Sequence, residues 1–157
     1  MKPKVYIETT IPSYLTAWPS RDLIRAAHQQ ITQEWWQSRD RFELFVSQVV
    51  LREASDGDQE AATLRVQTIE HFPVLRLTDE ATTFARTLIK EGPLPDKAVL
   101  DALHIAIAVI SGMDYLLTWN CTHIANATMR NKIEAVCRSR GYEPPVICTP
   151  EELMEGE

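Results

Sequence analysis

The feature that most constrains this chain is an alternation. Short runs rich in β-branched and aromatic residues are separated by longer stretches with helical spacing. "KVYIE" (Lys4–Glu8), "FELFV" (Phe42–Val46), "FPVLRL" (Phe72–Leu77), "DYLLT" (Asp114–Thr118) and "PVIC" (Pro145–Cys148) have the length and composition of strands. Between them Arg21–Ser38, Asp58–Ile69, Asp79–Glu91, Asp96–Ser111 and Asn126–Arg140 read as amphipathic helices. Strands joined by crossovers of about a dozen residues cannot form hairpins; they pair in parallel, and helices must then cover both faces of the sheet. The spacing therefore predicts an α/β fold, an α/β/α sandwich around a central, mostly parallel sheet of about five strands.

Local signals agree. Ser47 is placed to cap a short helix through Ser55, and Thr78 precedes "DEAT", an acidic first turn that suits the helix dipole. Pro95 and Asp96 are expected to start the most apolar helix and Gly112 to stop it. With 157 residues and neither repeat nor linker, one domain over residues 1–157 is expected. Cys121, Cys137 and Cys148 are odd in number and scattered, which suggests free thiols in a reducing compartment. Glu8 and Pro12 interrupt the apolar run a signal peptide would need, and Ala102–Ile110 is broken by His104 and too short for a membrane span. The expected address is the cytoplasm, with no membrane contact.

On a parallel sheet, ligands sit at the C-terminal ends of the strands. Glu8 ends the first strand, and Glu53 lies in the short helix after the second. Asp101 stands near the start of the helix "ALHIAIAVI" continues, and "TWN" follows the fourth strand. If Glu8, Glu53 and Asp101 converge, they form an oxygen-rich pocket suited to Mg²⁺ or Mn²⁺, because clustered carboxylates repel one another without a cation. Each also has a plainer reading. Glu8 suits a helix N-terminus, Glu53 a solvated helix face, and Asn120 and His123 a capped loop. Asp101 is harder to dismiss, since an apolar helix buries it and a buried carboxylate needs a partner. His104, one turn on, is either a core histidine bonded to Asp101 or a substrate contact. The spacing of Cys121, His123 and His104 does not match a zinc site.

Four stretches in order, "VYIETTIPSYL", "SQVVLREAS", "PDKAVLDALHIAIA" and "LLTWNCTHIAN", resemble the four acidic motifs of PIN-domain proteins, a family that includes the VapC-type toxins. The resemblance spans about Val5 to Thr149. It implies a metal-dependent ribonuclease with a carboxylate pocket at the sheet's C-terminal edge. Glu8, Glu53 and Asp101 fall on the first three acids and Asn120 on the fourth, with Thr118 keeping the Thr that precedes it. Two departures stand out: the first acid is usually Asp, and the fourth position here is a neutral amide. The same pair of changes resembles a variant branch of the family.

On this resemblance Glu8, Glu53 and Asp101 hold one or two ions of Mg²⁺ or Mn²⁺, and Asn120 positions a water or a metal. Thr9, Thr10, Thr118, His104 and His123 are candidate substrate contacts. The implied partners are RNA, a small antitoxin protein and a second copy in a homodimer. A net charge of −6 argues against broad polyanion binding, so local charge matters. Arg21 and Arg25, with Arg130, Lys132, Arg138 and Arg140, are the candidates to flank an RNA groove; solvated helix faces are the alternative. The competing function is a PIN-like module that binds RNA or protein without turnover, a reading Asn120 favours. A nucleotide-binding protein or a serine hydrolase lacks its signature, since there is no Gly-rich phosphate loop and no Gly-x-Ser-x-Gly elbow.

Overall fold

Five parallel strands in the order β3-β2-β1-β4-β5 form the centre of the molecule. They are β1 (Lys4–Ile7), β2 (Glu43–Ser47), β3 (Val74–Leu75), β4 (Tyr115–Leu117) and β5 (Val146–Cys148). The computed structural model describes residues 1–155. Every pairing is parallel, so the expected "mostly parallel" sheet is wholly so. Among the described residues seven α-helices cover it: α1 (Thr10–Thr16), α2 (Leu23–Gln37), α3 (Gln48–Ala54), α4 (Gln59–Ile69), α5 (Asp79–Lys90), α6 (Val99–Ile110) and α7 (Ala127–Ser139). Helix α1 packs on α2 and α4, while α5 packs on α6 and α7, which gives the two outer layers.

The strand order explains where a site can form. From β1 the chain steps outward through β2 to β3, then returns across the sheet to β4 and β5. The direction reverses between β1 and β4, and the crevice at such a reversal lies outside the C-terminal ends of the strands. Both central strands are buried, with Val5, Tyr6, Ile7, Leu116 and Leu117 fully enclosed. Helix α6 supplies the other half of the core through Ala102, Ile105, Ala106, Ile107 and Ala108, all fully buried. This burial explains why every position of α6 apart from Asp101 and His104 is apolar.

Three local expectations need correction. Pro95 and Asp96 do not begin α6; the Ala98 N–H donates to the Pro95 carbonyl, closing a turn, and the helix starts at Val99. The third strand is two residues long rather than six. Pro73 has no N–H to give the ladder, and the Leu77 N–H is taken by the Gln48 side chain. Helix α1 was not expected, since seven residues are too few to show a period. Pro12 is tolerated there because a first-turn N–H has no helical partner. Ser47 and Thr78 do cap α3 and α5, accepting from the Val50 and Ala81 N–H groups at 3.1 Å each.

The burial of α6 makes a direct test. Ile107→Ala is expected to cost about 2–5 kcal/mol in urea unfolding, the range for truncating a fully buried aliphatic side chain; a loss under about 1 kcal/mol would mean that α6 is not the packed centre.

Candidate active site at the sheet edge

Glu8 follows β1 directly and is 4% exposed. A carboxylate so deep requires donors, and three reach its Oε1. The Thr10 hydroxyl lies at 2.5 Å, the Thr118 hydroxyl at 2.6 Å and the Thr10 N–H at 3.2 Å. Thr10 Oγ1 also accepts the Trp119 N–H, and Thr118 Oγ1 accepts the Asn120 N–H. The loops after β1 and β4 are thereby stitched together through one carboxylate oxygen. Among the described residues no donor reaches Glu8 Oε2.

Glu53 enters from α3, whose N-terminus Ser47 fixes at the end of β2. Its Oε1 accepts from the Thr9 hydroxyl at 2.6 Å and lies 2.5 Å from His104 Nε2. His104, from α6, is fully buried, and its other nitrogen meets the Tyr6 hydroxyl at 2.7 Å. Tyr6 in turn meets Ser47 Oγ at 2.8 Å. Glu8, Glu53 and His104 each offer an atom within 4.8 Å of the other two.

Asp101 stands outside that group. Its Oδ1 accepts from the Asn120 side-chain amide at 2.9 Å, and its Oδ2 lies 2.8 Å from His123 Nδ1. The Asn120 carbonyl oxygen turns the other way and accepts the Thr122 and His123 N–H groups. An aspartate at position 120 would face Asp101 with like charge; the amide gives a hydrogen bond instead.

Several expectations are redrawn by this geometry. Glu8 and Glu53 converge, but their close third partner is His104 rather than Asp101. His104 pairs with Glu53 and Tyr6, not with the Asp101 one turn before it. His104 and Thr118 are fully buried, so neither can touch a substrate, and Thr9 and Thr10 spend their hydroxyls on the two glutamates. His123 alone of the five keeps an unshared ring nitrogen among the described residues, with its side chain 18% exposed. The expected basic series on α7 is largely neutralised. Arg130 pairs with Glu152, Arg138 with Glu134 and Glu143, and Arg140 with Glu91. Arg21, Arg25 and Lys132 have no acidic partner among the described residues. Tyr6 looks like an ordinary strand residue, and Ser47 like a helix cap alone, until the fold joins them to His104.

The pocket's ionisation follows from these contacts. Burial tends to raise the Glu53 carboxyl, but hydrogen bonds from His104 and Thr9 outweigh it and hold it below its ordinary 4.5. Burial tends to lower His104, but the bond to Glu53 and the nearby Glu8, Glu53 and Asp101 charges raise it above 6.5. Burial pushes the Tyr6 phenol far up, which keeps it neutral. The Cys137 and Cys148 thiols are pushed up to about 11 and about 12, so neither is a ready nucleophile.

The donor set fits a divalent cation. Hydrogen bonds are gathered on one oxygen of each glutamate, which leaves Glu8 Oε2 and Glu53 Oε2 without donors among the described residues. Two carboxylate oxygens and an imidazole within 4.8 Å of one another suit a divalent cation.

No protein-family model matches the sequence, and no curated protein matches it significantly. Solved structures share its fold. A chain of VapBC2 from Rickettsia felis, solved bound to a DNA fragment from their promoter, is 12% identical with a TM-score of 0.57. That match covers 93% of this chain and 98% of the other. VapC20 of Mycobacterium tuberculosis, a sarcin–ricin-loop-cleaving toxin, is 15% identical with a TM-score of 0.57, covering 75% of this chain and 91% of that one. At these identities the shared property is the fold, and the expected PIN-like α/β/α sandwich is borne out.

The two shifts set a pH window for the metal-free protein. Glu53, held low, contributes stability above about pH 4.5 that is lost as pH falls through its folded value. His104, held high, contributes below about pH 6.5 and loses that contribution as pH rises through its folded value. The pair should stabilise most between those values. Urea unfolding of His104→Gln across pH 5 to 9 is expected to show a flatter profile than the parent; parallel profiles would mean that the pair is not coupled to folding.

Proposed function

We propose that the chain is a divalent-metal-dependent ribonuclease of the PIN type, acting as the toxin of a toxin–antitoxin pair. The observation that carries this reading is the pocket itself. Two glutamates from separate strand ends meet beside the reversal of the sheet, each with a carboxylate oxygen that no described donor satisfies. The fold shared with VapC20 and VapBC2 supports the reaction class, and the order of the four sequence motifs supports the placement.

Glu8 and Glu53 would hold the cation, with Asp101 beside them. Bound there, it would supply positive charge to the scissile phosphate and make a water acidic enough to attack near neutral pH. Thr9, Thr10 and Thr118 fix the two glutamates rather than the substrate. Asp101 orients His123, whose other ring nitrogen, unshared among the described residues, would meet an RNA phosphate or a leaving oxygen. Asn120 holds Asp101 in place without adding charge. Arg21, Arg25 and Lys132, exposed and unpaired among the described residues, are the cations available to guide RNA to an acidic protein. A protein partner would find apolar surface at the turn between α1 and α2, where Trp18, Leu23 and Ile24 are 90%, 84% and 68% exposed.

One observation favours a second reading, an inactive PIN-like module that binds RNA or protein. The Asn120 carbonyl is committed to two loop N–H groups, so the fourth position brings no oxygen to the pocket.

Cleavage of a mixed RNA panel with Mn²⁺ or Mg²⁺ separates the two. The parent is expected to cut, while Glu8→Gln and Asp101→Asn should lose at least about a hundredfold in rate with unchanged circular dichroism. Retention of RNA without cleavage under every cation would establish the binding module.

A further inference from the structure

We propose that His104 Nε2 is itself a ligand of the cation, joining Glu8 and Glu53, so that the pocket takes a divalent transition cation such as Mn²⁺ in preference to Mg²⁺. This rests on the metal-dependent reading above and names its third donor.

The ring is held as a ligand is held. His104 is fully buried, which removes it from the substrate's reach, yet its Nε2 faces Glu53 and lies in the group that includes Glu8. Its Nδ1 is anchored inside the protein on the Tyr6 hydroxyl at 2.7 Å, and the two rings meet edge to face with centroids 5.8 Å apart. Tyr6 is anchored at 2.8 Å on Ser47 Oγ, which also accepts the Val50 N–H and so caps α3, the helix that carries Glu53. One chain of hydrogen bonds therefore sets the position of both the imidazole and a carboxylate.

The chain also accommodates the tautomer that ligation needs. With the proton on Nδ1, the Tyr6 oxygen accepts it and donates its own hydrogen to Ser47 Oγ, which then accepts from both Tyr6 and Val50 while its own hydrogen has no acceptor among the described residues. Nε2 is then left with a free lone pair. Fixing a metal-bound histidine through its other ring nitrogen is the usual means of orienting such a ligand. Without a cation, the reversed chain lets Nε2–H donate to Glu53, the contact seen at 2.5 Å.

Glu8 keeps a carboxylate oxygen available at the same place. Glu8 is 4% exposed, and while Oε1 takes three hydrogen bonds, Oε2 takes none from the described residues. The Asn120 amide, which replaces an acid, is turned toward Asp101 and adds no charge here. A pocket of two carboxylates and one imidazole has lost hard-ion character. Mg²⁺ favours oxygen and its own waters, whereas ions later in the first transition row accept imidazole readily.

Pulsed electron paramagnetic resonance on the protein loaded with Mn²⁺ alone reads the bond directly. The parent and His123→Gln are expected to show the nitrogen modulation of a bound imidazole, and His104→Gln to lose it. By calorimetry, Mn²⁺ should bind at least about tenfold tighter than Mg²⁺, and Tyr6→Phe should weaken Mn²⁺ about tenfold by freeing the ring. Since His104→Gln removes a buried group, its fold is checked by near-ultraviolet circular dichroism; the parent spectrum and Tyr6→Phe decide the matter without it. Bound Mn²⁺ without nitrogen modulation in the parent, modulation that persists in a folded His104→Gln, or equal affinity for the two ions would overturn the proposal and leave a carboxylate-only site. No Mn²⁺ binding at all would overturn the metal-dependent reading with it.

Discussion

The rest of the site depends on one buried charge. Glu8 sits at the end of a central strand with almost no solvent around it, where an uncompensated carboxylate would cost several kcal/mol. The loops after β1 and β4 are shaped by the need to supply donors to it. Thr10 gives both its N–H and its hydroxyl, Thr118 gives its hydroxyl from the neighbouring strand end, and each hydroxyl then accepts a backbone N–H from the β4 loop. A polar run such as "TWN" at the mouth of an apolar strand is therefore the price of placing Glu8 inside. Those donors are collected on one oxygen, and the other takes none from the described residues.

The remaining acids are managed differently. Glu53 and Asp101 each face a histidine, and Asp101 also takes the amide of Asn120. Three carboxylates this close would otherwise oppose one another. Two imidazoles and an amide supply hydrogen bonds to those charges. In this setting Asn120 is a consistent part of the design: an acid there would reintroduce the repulsion that the amide removes. Glu8 and Asn120 are joined through the Thr118 hydroxyl and so belong to one local arrangement.

Much of this was legible in the sequence, and the exceptions have physical causes. Strand and helix alternation follows from hydrophobic period, which the core imposes, so the parallel sandwich and its caps at Ser47 and Thr78 could be read directly. Helix α1 and the third strand could not, because seven and two residues are too short for a period to show. The carboxylates could be found because Glu8 ends a strand, Asp101 interrupts an apolar helix, and the order of the four motifs set Glu53 with them. Their partners could not: Tyr6 meets His104 across 98 residues and Thr9 meets Glu53 across 44, and neither pairing leaves a spacing to detect. The alternative that paired His104 with Asp101 fell for the same reason. One helical turn of proximity was visible, whereas the competing partner on α3 was not.

The buried tyrosine also argues that the pocket is shaped by its histidine. A phenol packed within the core of a central strand is an expensive choice beside phenylalanine unless its hydroxyl is used. Here both neighbours of that hydroxyl are polar and buried, and both lie on elements that carry site residues: Ser47 caps α3, and His104 belongs to α6. Removing the hydroxyl would leave Nδ1 without its partner and loosen the ring that meets Glu53. The stability of β1, the start of α3 and the orientation of the imidazole are therefore coupled through one oxygen. A histidine kept merely for packing would not need a coupling of this kind; a histidine whose Nε2 must present one fixed lone pair or one fixed proton to Glu53 does.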